Sequence, residues 1–157
     1  MEDLKIRQIK KEDLNKLAEI YSKVYGVFDV GEHWTKKSSY NLLGYWVKRN
    51  PNLSFLAELK GLIVGAFVAD IKPWWDGNHL VDGEIFVDPD YQKQGIGSEL
   101  SKSMYNLAIK KYKVVRFDTY TFKKTEFPLK WYKSQGFQEI NEWAMISADI
   151  KEVLKKL

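Results

Sequence analysis

Glu84-Ile85-Phe86-Val87-Asp88-Pro89-Asp90-Tyr91-Gln92-Lys93-Gln94-Gly95-Ile96-Gly97-Ser98 is the stretch on which the fold turns. It starts as an apolar strand. Pro89 then forces a turn, and two glycines two apart open a helix whose core face is Ile96, Leu100, Met104, Leu107 and Ala108. Val114 to Phe122, β-branched and aromatic, reads as the next strand. Strand, helix and strand in this order make a βαβ unit, so the strands before and after the helix are expected to be parallel neighbours. Glycine at the turn lets backbone N–H groups approach a ligand without a Cβ in the way, and the helix N-terminus adds partial positive charge. The turn therefore suits a pyrophosphate, although the same two glycines also fit a plain strand-to-helix connection.

Upstream, Leu4 and Ile6 alternate with charged residues in a first strand ending near Ile9. Leu14, Leu17, Ala18, Tyr21, Val24 and Tyr25 recur at helical spacing, with Glu12 and Asp13 at the N-terminal end where negative charge suits the helix dipole. A loop from Gly26 to Lys37 leads to a second helix over Ser38 to Arg49, stopped by Asn50-Pro51. Phe55 to Leu59 and Leu62 to Ile71 flank Lys60-Gly61 and predict a hairpin. A second turn around Trp74 to Asn78 returns the chain into Leu80 to Val87, which makes three successive antiparallel strands. Downstream, Trp131 and Tyr132 sit on a short helix stopped by Gly136. Phe137 to Ile140 and Trp143 to Ala148 read as a closing hairpin, and Ile150, Val153, Leu154 and Leu157 as a terminal amphipathic helix.

Composition narrows the chemistry. The 157 residues contain no cysteine, which excludes disulfides, thiolate nucleophiles and Cys-ligated zinc; two histidines, His33 and His79, give no His-rich metal site. His79 is expected in a loop. The net charge of +4 is spread over interleaved lysines and acids, which reads as a solvated surface and not as a nucleic-acid face. The longest apolar run, Leu62 to Ala69, falls short of the roughly 20 residues a membrane span requires. The acidic start, Met1-Glu2-Asp3, is unlike a signal peptide, so a single domain over residues 1–157 and a cytoplasmic location are expected.

Two nucleotide-binding motifs can be tested on the turn. A dinucleotide fingerprint needs Gly-x-Gly-x-x-Gly at the first βα turn, but residue 100 is Leu; a P-loop would need Gly-Lys-Ser/Thr, which is absent. What remains is Gln92-x-x-Gly95-x-Gly97 after a strand ending Val-Asp-Pro, followed later by Tyr132-x-x-x-Gly136-Phe137. Both motifs and the order of elements around them resemble the GNAT superfamily of acetyl-CoA-dependent N-acetyltransferases. The resemblance covers nearly the whole chain. It implies an α/β fold with a mixed, mostly antiparallel sheet, one parallel βαβ crossover and helices on both faces.

The resemblance also implies roles. Backbone amides of Gln94, Gly95, Ile96, Gly97 and Ser98 would hold the acetyl-CoA pyrophosphate, with Gln92 and Lys93 flanking it. The main chain of Phe86 and Val87 would pair with the pantetheine arm, and an N–H near Val87 would face the thioester oxygen. Tyr132 stands where the family often has a tyrosine near the sulfur and is the candidate general acid. Glu84 is the candidate base. Asp82 shares its face if the strand is regular, a bulge common in this strand of the family would change which of the two points inward, and a water relay is a further alternative. Lysines 93, 123, 124, 130 and 133 are candidates for the 3′-phosphate. Thr125 and Pro128 stand where many members have Asn and Ala. Pro128 should lie near the first turn of its helix.

Trp34, Trp74 and Asp82 are the candidate acceptor-binding residues, within a largely aromatic set that includes Phe28, His33, Tyr40, Tyr45, Trp46, Trp75 and Asp76. Such a lining suits an amine with an apolar or aromatic body. The same aromatics also fit a core edge or a dimer interface, and a groove for a peptide or lysine amine stays open. The partners implied are acetyl-CoA as co-substrate and an amine acceptor, with no metal, nucleic acid or membrane; the chain would act as a monomer or homodimer. A non-catalytic acyl-CoA-binding domain is the alternative. Lacking cysteine, the chain cannot form an acetyl-cysteine intermediate, and direct attack in a ternary complex is the simplest mechanism left.

Overall fold

A computed structural model describes residues 3–26, 31–124 and 126–157, with Asp82 described by its backbone. Two compact units are present, Met1–Tyr120 and Thr121–Leu157. The first holds a five-stranded sheet in the order β1-β2-β3-β4-β5. β1 (Leu4–Gln8), β2 (Ser54–Leu59), β3 (Leu62–Trp74) and β4 (Gly77–Val87) are antiparallel neighbours. β5 (Val114–Asp118) lies parallel to β4, and the connection between them carries α3 (Ile96–Tyr112). This is the mixed sheet with one parallel crossover read from the sequence.

Alternation along the strands divides the core. Leu56, Val68 and Phe86 pack under α1 (Leu14–Tyr25) and α2 (Lys36–Arg49), against Leu17, Tyr21 and Leu43. Ala57, Phe67 and Leu80 face the other way and pack against Leu100, Met104 and Ala108 of α3. Helices thus cover both faces, and each fully buried Leu or Phe stabilises the fold by roughly 1.5–3 kcal/mol. A register slip pairs Ala57 with Gly65 but Glu58 with Ile63, which leaves Val64 as an extra residue. That slip puts Val64 in the same core as Phe67 while Ala66 faces the opposite one.

Local chemistry sets the element ends. Arg7 of β1 donates two hydrogen bonds to the buried Asp13 carboxylate, 2.7 and 2.9 Å, and the Lys10 amide donates a third at 2.8 Å, fixing the entry to α1. α2 begins at Lys36, two residues earlier than Ser38, because Thr35 caps it: the Thr35 hydroxyl accepts from the Ser38 amide at 3.1 Å. Lys60 and Gly61 both take left-handed backbone (φ 50 and 80), as a tight two-residue hairpin turn demands.

Three expectations are corrected. β5 ends at Asp118 and does not continue to Phe122. Residues 137–140 and 143–148 form no strands. Among the described residues the second unit holds no strand for such a pair to join, and an isolated hairpin is marginal in water. His79 is not a loop residue but a buried member of β4.

That second unit contains α4 (Glu126–Ser134) and α5 (Ile150–Leu154). Phe127 has extended backbone and a cis peptide to Pro128, so the regular part of α4 starts at Pro128. The helix closes with Gly136 N–H bonding Lys133 O and Phe137 N–H bonding Tyr132 O, 3.0 and 3.2 Å, with Gly136 at φ 93. The Tyr-x-x-x-Gly-Phe spacing is thus that of a helix stop. No helix among the described residues is long and apolar enough to cross a membrane.

Candidate active site

The two ends of β4 have different neighbours. β5 pairs only with Asn78–Val81, whereas β3 continues along β4 to Val87. Beyond Val81, the edge of β4 away from β3 has no strand partner among the described residues, and Glu84–Val87 lie on that stretch. Unpaired N–H and C=O groups in a row are a template for an extended ligand.

A bulge marks where the two strands part. Val68 pairs with Glu84 and Asp70 with Val81, so Asp82 and Gly83 together face Ala69 alone. At Gly83 a Cβ would stand 2.4 Å from the Val68 carbonyl oxygen, so only glycine fits this backbone approach. The side chain of Asp82 lies outside what is described.

After β4 the chain turns through Asp88, whose carboxylate accepts from the Asp90 amide at 3.1 Å, and a 3-10 turn over Pro89–Tyr91. Lys23 of α1 clamps this turn, its ammonium 2.6 Å from Asp88 and 2.7 Å from Asp90. The Gln92 side chain donates to the Val87 carbonyl at 2.9 Å and so ties the turn to the strand end. Lys93 (φ 59) and Gly95 (φ 78) take left-handed backbone on the way into α3. Gly95 is the N-cap and has no side chain with which to cap. The first intrahelical bond runs from Glu99 N–H to Gly95 O, so the Ile96, Gly97 and Ser98 amides stand ahead of the ladder at the positive end of a 17-residue helix. The Ile96 side chain is buried in the core, so from this residue only the main chain can serve a ligand. The unpaired strand edge and the open helix start adjoin, and both fit a ligand made of an amide-bearing arm and a pyrophosphate.

Glu84 sits on the unpaired stretch, under α1. Tyr21 and Tyr25 both donate to its Oε2, at 3.0 and 3.3 Å. Around it, Tyr21 stacks on Tyr25 and meets the edges of Trp34 and Phe86, ring centroids 4.3, 5.1 and 5.2 Å away. Burial pushes the Glu84 carboxyl up to about 7; the two phenols pull it down, and the charge of Glu32 adds a smaller push upward. A carboxyl poised near neutrality and half-buried in an aromatic box is equipped to take a proton at physiological pH. Tyr21 itself is held neutral by burial and by the Glu84 charge. Periodicity assigned Tyr21 and Tyr25 to the apolar face of α1; two phenols at i and i+4 over a strand glutamate were the signal of a polar role.

The remaining candidates are dispersed. Trp34 belongs to the Glu84 box, its indole N–H donating to Glu32 at 2.7 Å. Trp74 pairs with Gly77 at the turn of the β3–β4 hairpin, about 20 Å along the strand from Glu84, beneath the Lys72 ammonium. Trp75 is 87% exposed. Phe28 and Thr125 lie outside the described residues. Tyr132, in the second unit, is buried and packs edge-on with Trp131 and Phe137, centroids 5.0 and 5.1 Å away. Of the candidate phosphate-binding lysines, Lys123 and Lys133 pair with Glu139, 2.8 and 2.5 Å, and hold its carboxyl at about 2, and Lys130 pairs with Glu126 at 2.6 Å. Lys93 forms no ion pair with the described residues.

At the paired end of β4, His79 and Asp76, expected in a loop and on the acceptor side, meet Asp118 in one cluster. His79 places Nδ1 2.5 Å from Asp118 and Nε2 2.7 Å from Asp76, while Arg116 reaches Asp76 at 3.3 Å. Only the imidazolium can donate from both nitrogens. Burial opposes that charge, but the two carboxylates outweigh it and raise the pKa of His79 above its ordinary 6.5. The resulting stabilisation is complete below pH 6.5 and lost as pH rises through the elevated value. Melting temperature should fall with rising pH across that window, and the His79→Gln variant should lack this step.

A sequence profile described as an acetyltransferase (GNAT) domain matches residues 50–139, more than half of the chain. The chain belongs to the GNAT acetyltransferase family. It is similar to an uncharacterized N-acetyltransferase of Methanocaldococcus jannaschii, 30% identical over 139 residues, which are 85% of this chain and 60% of the relative. The chain thus spans about 60% of the length of that relative. Among solved structures, a protein from Pyrococcus horikoshii OT3 superposes with a TM-score of 0.71 at 24% identity, over 90% of this chain and 92% of the other. An aminoglycoside N-acetyltransferase in complex with CoA gives 0.70 at 18% identity, over 92% and 94%. At these identities the structures speak for the fold.

Proposed function

We propose that the protein transfers the acetyl group of acetyl-CoA to a primary amine, in a ternary complex and without a covalent enzyme intermediate. The observation that carries this reading is the junction of the unpaired Glu84–Val87 edge with the open N-terminus of α3, beside a carboxyl poised near 7. Membership of the family and the CoA complex of the aminoglycoside enzyme support it.

Bound acetyl-CoA supplies an activated thioester carbonyl. The pantetheine arm pairs with the main chain at Phe86 and Val87, where the Val87 N–H and C=O point to the open edge while those of Phe86 face β3; the amides from Gln94 to Ser98 hold the pyrophosphate, beside Lys93, which forms no ion pair with the described residues. Gln92 keeps the Val87 carbonyl in place. An N–H near Val87 stabilises the negative charge that develops on the carbonyl oxygen, a contact that where well aimed is worth about 10²–10³ in rate. Glu84 accepts a proton from the incoming ammonium. The amine nitrogen then bonds to the acetyl carbon as the C–S bond breaks, and the Tyr132 phenol protonates the departing sulfur. The second N–H proton of the amine goes to solvent or returns to the phenolate, which closes the balance. Trp34 and the aromatic box around Glu84 favour an amine with an apolar or aromatic body, and Asp82 on the same strand draws it by charge.

Release of CoA thiol, followed over a panel of arylalkyl amines, polyamines and peptides, tests the reading. An acceptor-dependent release with the matching acetylated product is expected. A folded protein that binds CoA but releases no thiol with any acceptor would favour a binding domain without turnover.

A further inference from the structure

The Glu84 carboxyl is held by two donors from α1. Both phenol contacts fall on one oxygen, Oε2, at 3.0 Å from Tyr21 and 3.3 Å from Tyr25. The other oxygen, Oε1, takes no hydrogen bond from the described residues. The two tyrosines are four apart on α1, so both project from one face, and their rings stack at 4.3 Å, so neither can move without the other. The pair is braced in turn: Phe86 and Trp34 meet the Tyr21 ring edge-on, and Lys23, between the tyrosines in sequence, ties α1 to the turn after β4.

We propose that Tyr21 and Tyr25 are positioning residues for the acyl transfer, holding Oε2 of Glu84 so that Oε1 alone receives the amine proton. This rests on the reading of Glu84 as the base. Two donors on one oxygen do two things at once. They fix the plane of the carboxyl, and they favour its ionised form, since a phenol donates more strongly to a carboxylate than to a neutral acid. In an aromatic surrounding that penalises charge, the phenols keep the base available, and the acceptor approaches the oxygen left open, Oε1. Among the described residues, the ionisable groups facing Glu84 are Tyr21 and Tyr25 from α1 and Glu32 ahead of α2. Opposite on β3 stands Val68, and the remaining walls, Trp34 and Phe86, do not titrate.

Phenylalanine at either position keeps the ring and its packing and removes one hydrogen bond. The Glu84 carboxyl is followed by carbon NMR in glutamate-labelled protein, its signal assigned by its loss in Glu84→Gln. Acetyl transfer to phenethylamine is measured against pH in parallel. Tyr21→Phe should move the Glu84 titration and the acidic limb of kcat/KM upward by about one pH unit, Tyr25→Phe by less, and the double variant by more than either. A merely structural role would lower melting temperature or kcat and leave both titrations in place. Titrations that coincide with wild type in all three variants overturn the proposal while Glu84 keeps its role. Full turnover in Glu84→Gln removes the base and with it the proposal, whatever the titrations do. The carbon signal needs no acceptor, so the clamp is decided even where phenethylamine turns over slowly.

Discussion

In the Glu84→Gln variant, acetyl transfer falls by about 10²–10⁴-fold in kcat while affinity for acetyl-CoA stays near that of wild type. The amide keeps the size of the carboxyl and can still accept from Tyr21 and Tyr25, so folding and the aromatic box are preserved; what it cannot do is take a proton. The loss should therefore shrink as pH rises, because an increasing share of the amine arrives already neutral. In wild type the carboxyl, pushed to about 7 by burial, must be ionised to act, so kcat/KM declines below pH 7, tenfold per unit once well below it. Steady-state kinetics between pH 5.5 and about 9.5 check both effects. A variant with wild-type rates across that range would move the proton transfer to a water relay.

Gly83→Ala carries the second large effect, and it acts through the backbone. A Cβ there would lie 2.4 Å from Val68 O, with Ala69 and the Phe67 ring both at 3.1 Å. A main-chain oxygen cannot step aside as a flexible side chain can, so either β3 shifts or the bulge flattens. Overpacking of this kind costs about 1–3 kcal/mol, which for a chain of this size lowers the melting temperature by several degrees. Flattening the bulge also changes the register with which Glu84 meets α1, so kcat should fall further than stability alone explains. Calorimetry and kinetics on the same preparation separate the two. An unchanged melting temperature with unchanged kcat would mean that the bulge neither needs glycine nor positions the base.

Much of the sheet and the turn into α3 could be read from residues alone. Alternation in Leu4–Ile6, the Lys60-Gly61 turn and the Val-Asp-Pro strand end carried β1 to β4, and the Gly95-x-Gly97 spacing carried the start of α3, because each is dictated by local backbone and patterning. Failures came where partners decide. Phe122 fits a strand as well as Phe117 does, but pairing with β4 stops at Asp118. Phe137 to Ile140 and Trp143 to Ala148 have strand composition but form no strand. His79, Asp76 and Asp118 come together only through the parallel crossover, which brings residues 39 positions apart within 2.5 Å. Tyr21 and Tyr25 obeyed helical periodicity so well that their hydroxyls went unread; the glutamate that uses them is about sixty residues away.

Acetyl-CoA is expected on one surface, the free edge of β4 running into the start of α3. Amide chemical-shift mapping of nitrogen-labelled protein titrated with acetyl-CoA addresses it without knowledge of the acceptor. The largest saturable changes are expected at Glu84 to Val87 and at Gln94 to Ser98, with the side-chain amide of Gln92 responding beside them. Changes confined to other elements, such as the β1–β2 edge or the C-terminal turns of α3, with Glu84–Val87 and Gln94–Ser98 unmoved at saturation, would contradict it.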